Sequence, residues 1–327
     1  MRVGVIGPTD PDSFADNILH CLPELGAEAI SLGPATPMPK HTGARRAIEF
    51  IGRQSAETQE YLQRGVVRRA REARCDVVIN LHQALMPTTV GAIKATGARI
   101  GLWYPDAVSN ISRMAMFAAE YDGLFLKDPL LAERLTAVYG YPATYLPEAC
   151  NPHWHRPIGD AGTEPYIVAV GNLYPTRARL LRRLDAAGIP LRLYGAGFPR
   201  WYDAGELRRL STSSYVTRLV KSQVFREARG VLNNLHPAEM ESVNARLFEA
   251  TAAGGAVLCE DRPVLHQLFD VGSEVLAFSS FDQLVYHCRA LLSGEASVTA
   301  IGDRASARSH AEHNYGSRLR VLLDVLG

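Results

Sequence analysis

Glu241 and Glu249, separated by seven residues, are the two side chains whose spacing most clearly suggests chemistry. They lie in Asn233–Asp261, NNLHPAEMESVNARLFEATAAGGAVLCED, which reads as strand, loop, helix, glycine stop and strand. Ser242 suits an N-cap, so the spacing predicts a helix from there to about Ala253, ended by Gly254–Gly255. A helix N-terminus presents unpaired N–H groups and a partial positive charge, and a diphosphate is a natural occupant. Glu241 falls just before that terminus and Glu249 two turns inside, about 12 Å further along the axis. Carboxylates placed so can accept hydrogen bonds from hydroxyl-bearing sugars on both sides of a diphosphate.

Other candidates also follow predicted strands. Val170-Gly171-Asn172-Leu173-Tyr174-Pro175-Thr176-Arg177 sets a glycine and then a cation after one strand. LRLYGAGFPRW places Gly195 and Gly197 after another, either as a tight turn or to let backbone approach a nucleotide. Asn234 and His236 end the strand that precedes the Glu249 helix, whereas Tyr215 reads as a packed aromatic in preference to a contact with the base. In the first half, His82 follows Val77–Leu81 and Asp106 follows Ile100–Trp103, with Pro8–Asp12 after the first strand. Asp10-Pro11-Asp12 and His153-x-His155 have ligand-like spacing, but neither has a further ligand cluster beside it, and no metal site is expected. Gly4-Val5-Ile6-Gly7 is not G-x-G-x-x-G, which disfavours a nicotinamide or flavin site.

These positions need elements to hold them. Val3–Ile6, Val77–Leu81, Ile100–Trp103 and Gly123–Leu126 read as buried strands, as do Tyr166–Val170, Leu191–Tyr194, Gly230–Leu235, Ala256–Cys259 and Glu274–Ala277. Thr58–Ala73, Thr88–Thr96 and Asp303 to Leu326 read as helices. Strand alternating with helix predicts open parallel sheets, whose ligands bind outside the carboxyl ends of the strands. At 327 residues the chain has room for two cores, and Pro147, Pro152, Pro157, Gly159, Gly162 and Pro165 mark the break between them. The net charge of +1 argues against nucleic acid or an anionic membrane as partner. The basic residues are 4 Lys and 31 Arg, the usage of a GC-rich coding sequence. Five scattered cysteines, no apolar run of about 18 residues and no leader pattern predict a cytoplasmic protein without an integral membrane segment.

The E-x7-E spacing of Glu241 and Glu249 resembles that of the group 1 (family 4) glycosyltransferases. VNARLFEATAAGGAVLCEDRPVLHQLF looks like the CgeB-like branch of that group. The loop from Val170 to Arg177 is similar to the family's V-G-R-L-x-x-x-K loop, whose cations hold the diphosphate. Tyr145–Pro152, with Trp154 and Pro157, resembles its interdomain linker. Two departures stand out. Asn172 replaces the family's Arg, leaving Arg177 as the loop's one cation, and Ser242-Val243-Asn244 replaces a glycine-rich turn.

The resemblance implies an α/β fold of the GT-B type, two Rossmann-like doubly wound domains facing across a cleft. The expected divisions are an acceptor domain at 1–147, a linker at 148–164, a nucleotide-sugar domain at 165–305 and a helix at 306–327 returning to the first domain. It implies transfer of a sugar from a nucleotide diphosphate sugar, with retention and without metal or other cofactor, to an unidentified acceptor; the compact first half and the lack of a membrane-facing apolar helix favour a small soluble molecule. Glu241, His82 and Asp106 are the expected catalytic residues. Gly171, Asn172, Arg177, Gly195, Asn234, His236, Ser242, Val243, Asn244 and Glu249 are expected at the donor. A nucleotide-sugar epimerase or phosphorylase, or a non-catalytic nucleotide-sugar binding protein, are the alternatives.

Overall fold

The computed structural model describes residues 1–36, 55–107, 110–111, 115–196 and 202–327. The chain forms two compact units, one of Met1–Pro147 with Tyr315–Gly327, the other of Glu148–Asn314. Among the described residues no helix is long and apolar enough to cross a membrane.

The first unit is built on strands β1 (Arg2–Ile6), β2 (Glu28–Gly33), β3 (Val77–Asn80), β4 (Arg99–Tyr104), β5 (Gly123–Leu126) and β6 (Ala143–Tyr145). All pair in parallel, in the order β2-β1-β3-β4-β5-β6. β3 and β5 are buried at every position, which is why they are continuous apolar runs. β2 and β6 were not expected. They lie at the two edges, where partly exposed residues dilute the apolar signal. The chain leaves β1 toward β2 on one side and returns to β3 on the other, so the β1/β3 crevice is the switch point of this sheet.

Tyr315–Leu326 forms the last helix and belongs to this unit. A Cβ on Gly101 would come within 2.7 Å of Leu326 Cδ1, and one on Gly123 within 3.4 Å of Cδ2, so the two glycines make the seat for that leucine. Trp103 adds to the seat. Its indole donates to the Leu146 carbonyl at 3.0 Å, and its ring meets Phe14 at 4.7 Å and Tyr315 at 6.1 Å. The single helix expected over 303–326 is two helices, Val298–Glu312 and Tyr315–Leu326. The break follows from side-chain bonding within the second unit: the His313 ring bonds the Leu268 carbonyl at 2.7 Å, and Asn314 donates to the His310 carbonyl at 2.8 Å.

The second unit carries β7 (Glu164–Val170), β8 (Leu191–Tyr194), β9 (Ala228–Asn233), β10 (Val257–Glu260) and β11 (Leu276–Phe278). They too are parallel, in the order β11-β10-β9-β7-β8. β9 stops two residues short of the expected Leu235, and β11 begins at Leu276 rather than at Glu274. The switch point here lies between β7 and β9. Together with the β1–β6 sheet this makes two Rossmann-like units.

The helix that follows β9 is short, Ala245–Ala252, and depends on its neighbours. Its C-terminal carbonyls are met by the Val298–Glu312 helix. Ser306 donates to the Ala252 carbonyl at 2.9 Å, His310 bonds the same oxygen at 3.1 Å, and Ser309 donates to Thr251 Oγ1 at 2.7 Å. Arg226 joins the two helices by bonding the Gly254 carbonyl at 3.0 Å and Asp303 at 2.8 Å. Gly302 lets them close, because a Cβ there would sit 2.8 Å from the Gly254 carbonyl carbon. Alanine is the better helix former by about 1 kcal/mol. Gly302→Ala is nevertheless expected to destabilise by about 1–2 kcal/mol, overpacking outweighing propensity, as read by urea unfolding. An unchanged or raised midpoint would show that the clamp relaxes freely.

Candidate functional site

Three chain segments meet at the β7/β9 switch point. The first is Gly171–Tyr174, which turns from β7 into the Pro175–Ala186 helix. Gly171 has φ +113°, and a Cβ on it would meet the Arg246 guanidinium carbon at 3.2 Å and Arg177 Nη1 at 3.5 Å. Arg177 is fully buried, and its guanidinium donates to the carbonyls of Asn172 and Val170, both at 3.2 Å. Arg246 reaches back from the Ala245–Ala252 helix and donates to Asn233 Oδ1 at 3.4 Å. Two guanidiniums thus pack against one glycine. Burial pushes the pKa of Arg177 down and the charge of Arg246 pushes it further. Burial also lowers that of Arg246, with Glu249 the first of the groups opposing the shift. Burial thus disfavours the charged form of both, a condition that an oxyanion would relieve.

Arg246 lies outside the E-x7-E pair, and its spacing of three from Glu249 by itself suggests no more than a pair on the helix surface. The structure gives Glu249 other partners. Lys221 Nζ lies 2.9 Å from Glu249 Oε1, and His155 Nε2 lies 4.0 Å from the same oxygen. Arg177 is therefore accompanied by a second cation, Arg246, from a separate segment.

The helix N-terminus is also placed differently. Asn244, not Ser242, is the N-cap, its side chain accepting from Leu247 N at 3.3 Å. The Ser242 hydroxyl is taken by the Glu239 carboxylate and cannot cap. Val243 is buried core, and Glu241 is partly exposed in the loop three residues before the cap. With the helix starting at Ala245, Glu249 lies about one turn inside it rather than two.

Asn234 and His236 gather around Tyr174. Asn234 Nδ2 donates to the Tyr174 hydroxyl at 2.8 Å, that hydroxyl donates to the Leu235 carbonyl at 3.0 Å, and the His236 ring stands 4.7 Å from the tyrosine ring. Burial raises the pKa of Tyr174 despite the nearby Arg177 and Arg246. Tyr174 thus joins the site although its type gave no hint of it. Gly195 sits against the first loop, since a Cβ on it would lie 3.0 Å from the Gly171 carbonyl carbon. Backbone contact accounts for that glycine. Gly197 and Trp201 fall outside the described residues. Tyr215 is not packed as expected but 69% exposed, in irregular chain between Ser211 and Thr217.

In the first unit, His82 and Asp106 stand beyond β3 and β4, both exposed. Asn80 fixes His82 from both sides, accepting from its backbone N–H at 3.0 Å and donating to its carbonyl at 2.9 Å. His82 Nδ1 accepts from Ala84 N at 3.2 Å, which leaves the ring proton on Nε2. Asp12 serves its own turn: its N–H donates to Asp16 at 2.7 Å and its carboxylate accepts from Asn17 at 3.4 Å.

Residues 177–324 match the family model described as "Glycosyl transferase-like". No curated protein matches the chain. Among solved structures, Anabaena HepE in complex with UDP-glucose is similar at TM-score 0.66 and 10% identity, over 100% of this chain and 99% of that one. Sucrose-phosphate synthase from Thermosynechococcus elongatus is similar at TM-score 0.63 and 12% identity, over 99% and 98%. A glycosyltransferase involved in avilamycin A biosynthesis is similar at TM-score 0.62 and 16% identity, over 100% and 97%. The matched family model and a GT-B-type fold of two Rossmann-like units support a glycosyltransferase enzyme.

Proposed function

We propose that the chain transfers a glycosyl group from a nucleotide diphosphate sugar, with retention and without a metal, in the manner of the family 4 group and its CgeB-like branch. The observation that carries this is the pair Arg177 and Arg246 against Gly171, at the switch point and beside the Ala245–Ala252 N-terminus. Two desolvated guanidiniums next to helix N–H groups suit a diphosphate and stabilise it as the leaving group. The likeness to HepE, solved with UDP-glucose and with UDP, supports a nucleotide sugar as donor.

In this reading Glu249 accepts hydrogen bonds from the ribose hydroxyls. Glu241 orients the donor sugar or stabilises positive charge at its anomeric carbon. The loops after β3 and β4 take the acceptor. Because His82 Nδ1 is occupied by a backbone N–H, its Nε2–H is a donor, which leaves Asp106 as the group that accepts a proton.

A thermal-shift panel of UDP, GDP, ADP, CDP and their sugars tests the donor, since a ligand at 100 times its Kd stabilises by about 2.7 kcal/mol. Absence of a shift with every nucleotide would sink the reading. Arg246→Gln is expected to weaken nucleoside diphosphate binding about tenfold or more while leaving that of the bare nucleoside unchanged, measured by titration calorimetry. Equal losses for both ligands would mean that Arg246 does not address phosphate. Turnover is expected to survive EDTA and to give a product with the donor's anomeric configuration by NMR. Sugar inversion, or conversion of the donor with no acceptor present, would point to a different reaction on the same fold.

A further inference from the structure

Glu249 is held by a lysine in a chain that uses lysine almost nowhere. Of 35 basic residues, 31 are arginine. Lys221, on the Arg218–Glu227 helix, is 7% exposed and sets Nζ 2.9 Å from Glu249 Oε1. The turn that carries His155 closes on the same oxygen. His155 Nδ1 accepts from Asn151 N at 2.9 Å, which puts the ring proton on Nε2, 4.0 Å from Oε1. Ser222 ties the two segments together by donating to the Trp154 carbonyl at 2.8 Å, and the Arg218 guanidinium lies 4.1 Å over the Trp154 ring. Lys221 and His155 both approach Glu249 at Oε1.

The choice of cation matters. An ammonium is a compact point charge that engages one oxygen, whereas a guanidinium forks across both oxygens of a carboxylate. A compositional drift toward arginine would be harmless on the surface but would occupy Oε2 here. We propose that Lys221 is a positioning residue for the donor: it anchors Glu249 through Oε1 so that Oε2 faces the ribose hydroxyls, and thereby sets the preference for ribo- over deoxynucleotides. This rests on the reading of Glu249 as the ribose contact.

The test uses the full chain as wild type, Lys221→Met and Lys221→Arg, each checked for an intact melting transition. The probe is the tightest binder among UDP, GDP, ADP and CDP, titrated beside its 2′,3′-dideoxy form. Wild type is expected to prefer the ribonucleotide about tenfold or more, the scale of hydrogen bonds to a charged group. Both variants should lose that preference while keeping the dideoxy affinity, Lys221→Arg failing although it conserves charge. That failure is the outcome a purely structural ion pair does not produce, and the arginine variant keeps the test open if the methionine variant does not fold. A wild-type preference retained in Lys221→Arg would overturn the proposal and leave the donor reading standing. Equal binding of both probe forms by wild type would remove ribose recognition by Glu249, and the proposal with it, but not the diphosphate site. Binding of none of the nucleotides would overturn both.

Discussion

Two guanidinium groups packed against one glycine place a constraint on everything around them. Arg177 and Arg246 repel each other where burial disfavours both charges, while carbonyl oxygens of the β7 end and the Asn233 side chain take up part of their hydrogen-bonding capacity and Glu249 opposes the shift on Arg246. A side chain at position 171 would collide with them. The second unit therefore keeps two closely set cations at the carboxyl end of its sheet. In parallel sheets this is where bound anions gather, since strand ends and helix N-termini converge there.

Holding that arrangement requires more than the short helix that carries Arg246. Eight residues are too few for a helix to persist alone. Its N-terminus is fixed by Asn244, its C-terminal carbonyls by Ser306 and His310, and its glutamate by Lys221. Arg226 and Gly302 lock the approach of the Val298–Glu312 helix. The functional side chains project from a segment constrained at both ends and along one face, which is how a loop-flanked helix can present charges with fixed geometry.

The architecture was legible because buried parallel strands write themselves as apolar runs: β3, β5 and β7 are plain in the sequence. β2 and β6 were not, because edge strands carry exposed positions. The glycine stop at 254–255 was legible because it is local. What local reading missed was set by distant partners. Ser242 and Asn244 are both good caps in isolation, and only the Glu239 carboxylate decides between them. Arg246 looks like half of a helix-surface pair until the β7 loop is brought beside it. Lys221 sits 28 positions from Glu249, outside any motif window. Tyr215 is hydrophobic by type, but its segment has no regular backbone to press it into a core.

The seat made by Gly101, Gly123 and Trp103 for the Tyr315–Leu326 helix also governs the order in which the molecule can be completed. Synthesis runs from the first unit's six strands through the whole of residues 148–314 before the residues that fill this seat exist. Until then the nascent sheet carries an open apolar trough over β4 and β5, rimmed by Phe14. The second unit has no such debt to later sequence, so it can consolidate while the first is still waiting. The part of the chain made first is thus the part finished last.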